Sequence, residues 1–174
     1  GWIQSELKNC IDFWLKNGMD PVNGGVYTCL DRKGEIYSTD KSVWMQGRCG
    51  WTYSYIYNNI EKKPEYLEMA KSAIDFATAH CIDSVDGRMY FTVTRDGKPL
   101  RKRRYWFSET FYIIANAEYY MATGAESYLA TAKKYYDFVY GMYRDPATDP
   151  FKITPKNCDK TRALKTLANP MIML

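Results

Sequence analysis

The sequence predicts an all-α toroid, the (α/α)6 architecture, with about half of the ring present and β-hairpins inserted on one face. The first observation is a repeat: the pair Asp-Phe recurs at Asp12-Phe13, Asp75-Phe76 and Asp137-Phe138, spaced by 63 and 62 residues. The second is that amphipathic segments alternate with segments that are apolar nearly all round. The third is length, because a closed ring of six such units needs about 370 residues and the chain has 174.

The chain is expected to be the N-terminal portion, 1–174, of a single toroid domain, with internal repeats near 2–62, 64–124 and 126–174.

The composition of the chain excludes several classes of function. A net charge of +4 is too small and too mixed to indicate a nucleic-acid partner. No stretch reaches the ~18 apolar residues of a membrane span. The five cysteines form no CxxC pair, which favours free thiols. We therefore expect a cytoplasmic protein with neither a metal site nor a membrane partner.

The three outer helices are predicted over 2–17, 64–80 and 126–142, where apolar residues recur along one side at helical spacing. In the first of them, this apolar side is formed by Ile3, Leu7, Cys10 and Trp14. The opposite side of each helix is polar, which is typical of a helix with one face in water.

The inner helices are predicted over 41–58 and 105–121, which are apolar or aromatic nearly all round, as expected of helices enclosed by others. A third inner helix is expected to begin within 166–174. The connections from outer to inner helices are long and indicate β-hairpins over 26–38 and 89–104, with turns that contain glycine. Because these loops gather where the inner helices begin, we expect the functional site on that face.

Four stretches of the sequence resemble one enzyme family. FWLKNGMDPVNGGVYTCLDRKG, KSVWMQGR, TRDGKPLRKRRYWFSETFY and LKTLANPMIML occur in this order and are similar to the N-terminal half of the N-acylglucosamine 2-epimerase (renin-binding protein) family. The resemblance implies an isomerase with an (α/α)6 barrel that interconverts N-acetylglucosamine and N-acetylmannosamine. In relatives it implies isomerisation of other aldoses. The segment Ala168–Met171 resembles the acetylhexosamine branch and favours an amino-sugar substrate.

The same resemblance implies that two histidines on later helices, beyond Leu174, transfer the proton. It implies chemistry without a cofactor, a nucleotide (ATP) effector in some members, and a homodimer as an open alternative to a single chain. His80 is the single histidine of this sequence, and it is expected to cap the end of an outer helix, away from the site. We therefore expect the chain by itself to be inactive and assign no catalytic residue within it.

Arg48 is the first candidate for substrate binding. Lys41, Trp44, Arg48 and Trp51 follow one stripe of the predicted inner helix, so the guanidinium should face the centre of the ring beside an aromatic ring. Epimerisation beside a carbonyl passes through an enediolate, and a permanently charged arginine suits its negative oxygen. The resemblance supports this role, because Arg48 matches a substrate-contacting arginine of the family. The alternative is an arginine that points outward or pairs with a structural carboxylate.

Three further candidates are Glu109, Trp44 and Arg104. Glu109 is the one acidic residue of an otherwise uncharged run, and a buried carboxylate needs a partner, so we expect it to meet Arg48, Arg104 or a substrate hydroxyl. A buried structural pair is the alternative. Trp44 and Trp106 are placed at the same point of two repeats, where tryptophan either stacks on sugar or fills the core. Arg104 ends a basic run and matches a family position, whereas the rest of that run is expected on the solvated side of a hairpin.

Two other functions stay open at this point. A toroidal glycoside hydrolase or lyase would need two carboxylates facing the centre, and only Glu109 qualifies. A carbohydrate-binding toroid without catalysis would need only the aromatic and charged residues.

Overall fold

The computed structural model describes residues 1–102, 105–150 and 167–174. The helices of these residues are α1 (Trp2–Asn17), α2 (Val43–Asn59), α3 (Pro64–His80), α4 (Phe107–Thr123), α5 (Glu126–Arg144) and α6 (Ala168–Met173). The three predicted outer helices and the first two inner helices all form, and the third inner helix begins where expected. The prediction of an α/α toroid architecture is confirmed. No helix of the described ranges is both long enough and apolar enough to cross a membrane.

Both predicted hairpins form in the outer-to-inner connections. The strands are β1 (Cys29–Leu30), β2 (Ile36–Ser38), β3 (Lys41–Ser42), β4 (Thr92–Val93) and β5 (Pro99–Arg101). Strands β1 and β2 pair in a two-stranded antiparallel sheet, and β3, β4 and β5 form a three-stranded one in that order. The second sheet therefore joins the hairpin of the second repeat to the residues that precede the inner helix of the first.

The start of α2 corrects one prediction. Lys41 was expected in the first turn of the inner helix, but it pairs with Val93 in the sheet, and Ser42 pairs with Thr92. The helix begins at Val43, whose N–H donates to the carbonyl of Phe91 instead of remaining an unpaired donor of the first turn. Lys41 therefore does not belong to the helical stripe of Trp44 and Arg48.

The core lies between the two layers. Inner helix α2 packs on α3 behind it and on α4 beside it, and α4 packs in turn on α5 and α6. The helix α3 contributes residues that exclude water almost completely: Met69, Ala70, Ala73 and Ile74. A second, smaller cluster holds Trp106, Val139 and Met142, against which Ile172 and Met173 of α6 pack.

The first outer helix is the exception in the outer layer. Only Ile11 of α1 is buried, whereas Trp2 and Ile3 are 77% and 74% exposed. Of the four residues predicted to form the apolar side of this helix, only Trp14 packs against the core of the described residues. Cys10 is exposed on the same helix, and the four described cysteines are free thiols, while Cys158 lies outside the described residues.

The repeat is visible in the hydrogen bonds. In the two loops that follow α1 and α3, the N–H of Asp20 donates to the carbonyl of Gly25, and that of Asp83 donates to the carbonyl of Arg88. This register of 63 residues aligns Trp44 with Phe107, one position after Trp106. Trp44 and Trp106 are therefore not structural equivalents: Trp106 is 2% exposed in the smaller core cluster, and Trp44 is half-buried on the other side of the inner layer.

Helices α2 and α4 approach each other closely at Gly47. A Cβ atom built on Gly47 would lie 2.7 Å from both the carbonyl carbon and the Cβ of Phe111. Because two of the atoms it would meet belong to the backbone of α4, the helices would have to move apart to accept a side chain. A glycine is thus required here by space and not by its backbone angles.

We expect opposite effects from two glycine-to-alanine substitutions in helices. Gly47→Ala should lower the free energy of unfolding by about 2 kcal/mol, because overpacking outweighs the gain in helix propensity. Gly141→Ala in α5 is the matched control, because a Cβ there meets nothing within 4 Å. It should raise the free energy of unfolding by up to about 1 kcal/mol. Urea unfolding followed by circular dichroism measures both, and equal effects would contradict the close approach.

Candidate functional site

The side of the inner helices that faces away from the outer layer carries a continuous stripe of large side chains. On α2 the stripe is formed by Trp44, Arg48, Trp51 and Tyr55, at spacings of four, three and four residues. These residues are half-buried or exposed, whereas Gln46 and Tyr53 on the opposite side of the helix are buried. On α4 the same side carries Phe107, Phe111 and Ile114. We call these seven residues the inner face.

Aromatic rings surround Trp44 at the end of the inner face where the helices begin. The ring of Phe91, from the second hairpin connection, makes a T-shaped contact with the Trp44 ring at a centroid distance of 5.1 Å and an angle of 89°. Phe107 and Phe111 lie 5.6 and 5.8 Å from the same ring. These contacts hold the indole in one orientation while leaving part of it accessible.

Arg48 lies beside this aromatic cluster. Its guanidinium carbon lies 4.5 Å from the centroid of the Phe111 ring, a cation–π contact that orients the planar group. The side chain is exposed and also borders a cavity of about 120 Å³ that reaches toward α1 past Cys49 and Thr52. Burial raises the pKa of Cys49 to about 12, so this thiol is not a nucleophile near neutral pH. Arg48 is thus a charged, accessible donor next to apolar surface, as the sequence predicts.

Trp51 and Tyr55 continue the inner face beyond Arg48. Their rings stack at a centroid distance of 5.1 Å and an angle of 27°, and Tyr55 is 42% exposed. At the far end, the amide of Asn58 donates to Oε1 of Glu118 at 2.7 Å, joining the two inner helices.

Glu109 has a different environment from the one predicted. It is fully buried, and its Oε1 accepts from Nε of Arg88 at 2.7 Å and from the N–H of Met89 at 2.7 Å. It meets neither Arg48 nor a position on the inner face. The structure therefore supports the structural alternative: Glu109 lies on the side of α4 that packs against the loop after α3.

Arg88 is equally buried and connects two carboxylates. Besides Glu109, its Nη1 donates to Oδ1 of Asp149 at 2.5 Å. Burial raises the pKa of Glu109, and Arg88 and the Met89 N–H partly offset this effect. Arg88 thus lies between two buried carboxylates, away from solvent and away from the inner face.

The other residues singled out in the sequence, which are Arg104 with its basic run and His80, do not lie on the described part of the inner face. Arg104 lies outside the described residues. Lys102 of the same basic run is not on a solvated surface but donates to Asp83 and Asp86 at 2.8 and 2.6 Å. His80 ends α3 as predicted, yet its ring packs on Phe76 and under Gly97 of the second hairpin, and no hydrogen bond to the last carbonyls of α3 is found in the described residues.

The similarity to known proteins agrees with this arrangement. Residues 25–174 match the family described as N-acylglucosamine 2-epimerase (GlcNAc 2-epimerase). The chain belongs to the N-acylglucosamine 2-epimerase family. It is 33% identical over 175 residues to the N-acylglucosamine 2-epimerase of Bos taurus, covering 99% of this chain and 41% of that protein. It thus spans about two fifths of the length of the curated relatives it matches over its whole length.

Two cellobiose 2-epimerases are also similar to this family member. That of Bacteroides fragilis is 30% identical over 119 residues, covering 67% of this chain and 30% of that protein. The structure of the Spirochaeta thermophila enzyme matches with a TM-score of 0.78 and 26% identity, covering 99% of this chain and 46% of that chain. This solved cellobiose 2-epimerase thus shares the α/α architecture described above.

Sequence reasoning missed two residues of the inner face of this epimerase-family chain, and it also missed the buried partner of Glu109. Tyr55 lies seven residues after Arg48, so extending the predicted stripe by one step would have found it. Phe111 was part of an evenly aromatic run, which does not show which ring contacts an arginine. The burial of Arg88 could not be predicted from the sequence, because a single arginine in a glycine-containing loop is usually exposed to solvent.

We expect stability to separate the two arginines. Arg88→Ala should lower the free energy of unfolding by about 3–5 kcal/mol, because it leaves the buried carboxylates of Glu109 and Asp149 without their cation. Glu109→Ala should lower it by less, because Arg88 keeps Asp149 as its partner. Arg48→Ala should lower it by less than about 1 kcal/mol, since its guanidinium is exposed. Urea unfolding of the three variants decides the matter. A large loss from Arg48→Ala would show that Arg48 is the structural arginine.

Proposed function

We propose that this chain provides the part of a sugar 2-epimerase that binds the substrate and stabilises the enolate formed when the carbon-2 proton leaves. The observation that carries the proposal is the exposed guanidinium of Arg48, held over Phe111 beside the accessible indole of Trp44. Family membership supports the reaction class, and the names of the curated relatives support N-acetylglucosamine as the substrate, with N-acetylmannosamine as the product.

Arg48 supplies the positive charge that the reaction needs. When the proton on carbon 2 leaves, the electrons move to the carbonyl oxygen at carbon 1, and the oxygen becomes negative. A guanidinium offers two parallel N–H donors and cannot lose its charge near neutral pH, so it stabilises this oxygen more strongly than the neutral carbonyl. The Phe111 ring fixes the plane of the donors before the substrate arrives.

The aromatic cluster supplies a surface for the sugar. The C–H faces of a hexose are apolar, and indole and phenol rings present apolar area with little loss of side-chain entropy. Trp44 at one end of the inner face and the stacked pair Trp51 and Tyr55 beyond Arg48 both have accessible area.

The groups that move the proton come from elsewhere in this proposal. His80 is the single histidine, and it lies at the end of an outer helix against Phe76. Glu109 is held by Arg88 and Met89 away from the inner face. A base for carbon 2 must lie within hydrogen-bond reach of that carbon. Histidines of the later inner helices fit this role, and the proton transfer uses protein groups without a cofactor.

A glycoside hydrolase is disfavoured by the positions of the carboxylates. That chemistry needs two carboxyl groups about 5–10 Å apart across the glycosidic bond. On the described part of the inner side, Glu118 occupies the position that aligns with Tyr55, and Asn58 binds it. Glu109, the one candidate from the sequence, is buried behind the helix.

We expect residues 1–174 by themselves to show no epimerisation of N-acetylmannosamine. Their single histidine lies away from the inner face, and the described residues place no other base beside Arg48 to take the carbon-2 proton. The reaction is followed in deuterium oxide by proton NMR, which detects both the product and deuterium at carbon 2. Turnover with deuterium incorporation would contradict the division of roles proposed here.

Arg48→Lys tests the mechanism in a chimera in which this chain replaces the aligned part of the bovine relative. Lysine keeps the charge but loses the two-pronged geometry, so kcat should fall about a hundredfold, or about 3 kcal/mol. The melting temperature should hardly change, because the side chain is exposed. Arg32→Lys, on the exposed tip of the first hairpin, is the matched control and should leave both quantities unchanged. An Arg48→Lys chimera with full activity would refute the assignment.

A further inference from the structure

Three charged residues join the first two repeats at a distance from the inner face. Asp20 lies in the loop after α1, Lys41 lies in β3, and Arg95 lies at the tip of the second hairpin. Nζ of Lys41 donates to Oδ2 of Asp20 at 2.9 Å, and the Arg95 guanidinium donates to both oxygens of Asp20 at 2.9 and 3.0 Å. We call these three residues the clasp.

The donors and acceptors of the clasp are used within the protein. Lys41 is fully buried, and its other two donor positions are taken by the carbonyls of Gly24 and Arg95, at 2.7 and 2.9 Å. Burial opposes the charge on Asp20, but Arg95 and Lys41 outweigh it and hold the pKa of this carboxyl well below its usual range. The charges therefore bind protein to protein and leave no group of Lys41 for a ligand.

The hairpin held by the clasp is the one that contacts the inner face. Lys41 pairs with Val93 of β4, and two residues before Val93 the chain reaches Phe91. The carbonyl of Phe91 accepts from the N–H of Val43, and the Phe91 ring makes a T-shaped contact with the Trp44 indole. A single short strand thus runs from the clasp at one end to the contact with Trp44 at the other.

The first hairpin offers a comparison within the same chain. Arg32 occupies the position of Arg95 in the register of 63 residues, but it is exposed. The neighbouring Asp31 accepts from the N–H groups of Lys33 and Glu35 within its own turn. The arginine at the tip of the second hairpin is thus ion-paired to a neighbouring repeat, and Phe91 of the same hairpin connection meets Trp44.

We propose that Asp20, Lys41 and Arg95 act as positioning residues that hold the second hairpin against Trp44 and so fix the sugar-binding end of the inner face. The effect of the clasp on substrate affinity rests on the proposed function. The structural part of the proposal, that opening the clasp frees Phe91 from Trp44, does not depend on that function.

Arg95→Ala opens the clasp while keeping the buried pair of Lys41 and Asp20, and the carbonyl that Lys41 binds at position 95. The matched control is Lys98→Ala, because Lys98 lies on the same hairpin and its carboxylate partner, Asp96, is also on that hairpin. In residues 1–174, Arg95→Ala should raise the hydrogen-exchange rates of the Val43 and Phe91 amides about tenfold. Exchange in α3 should be unchanged, Lys98→Ala should change neither region, and Arg95→Lys should restore part of the protection. Unchanged exchange at Val43 and Phe91 in Arg95→Ala would overturn the proposal.

The second measurement uses the chimera with the bovine relative. Arg95→Ala should raise KM for N-acetylmannosamine about tenfold and leave kcat within about twofold, because a less ordered binding surface weakens ground state and transition state alike. A faster-exchanging hairpin with unchanged KM would restrict the clasp to a structural role and overturn its positioning role. An unsubstituted chimera without epimerase activity would refute the proposed function, while the exchange rates of the chain would still decide whether the clasp holds the hairpin.

Discussion

The first two repeats depend on one buried contact between an inner helix and the loop that precedes its hairpin. In the first repeat, Oε1 of Gln46 accepts from the N–H of Val26 at 2.8 Å, and its Nε2 donates to the carbonyl of the same residue at 2.7 Å. Gln46 thus pairs with Val26 as a neighbouring strand would. Because all these groups are buried, an unpaired one would carry the full cost of its desolvation. This contact fixes the position of each inner helix relative to its hairpin.

The second repeat makes the same contact with a different residue. Glu109 aligns with Gln46 and Met89 with Val26, but a carboxylate can only accept. Glu109 therefore binds the N–H of Met89 and needs a cation as well, which Arg88 supplies. A charge that looks catalytic in the sequence is explained by its place in the repeat. The same substitution explains why a buried arginine appears in this loop and not in the first, where Gly25 stands at the aligned position.

The buried and the exposed cationic side chains have different partners. Lys41 and Arg88 are fully buried, and each is neutralised by carboxylates of the chain. Arg48 is exposed, and its described contact is with an aromatic ring, so its donors remain available to a ligand. The close approach of α2 and α4 at Gly47 brings Phe111 beneath Arg48. Packing of the inner layer and placement of the candidate binding group are consequences of the same helix contact.

The sequence by itself determined the helices, the hairpins, the repeat and the place of Arg48 on an inner helix beside an aromatic ring, because periodicity and turn residues depend on neighbouring positions in the chain. The sequence could not determine which residues from distant parts of the chain contact one another. The sequence leaves open whether Glu109 meets Arg48, Arg104 or a substrate hydroxyl, or forms a buried structural pair, and the register of 63 residues turns it toward Arg88. The sequence also aligns Trp106 with Trp44, although Phe107 takes that position. Lys41 belongs to a strand because β4 lies beside it, a pairing between residues some 50 apart in the chain. Tertiary structure decided these points, because the partner of a buried charge is set by which loop the helix packs against and not by the residues next to it in sequence.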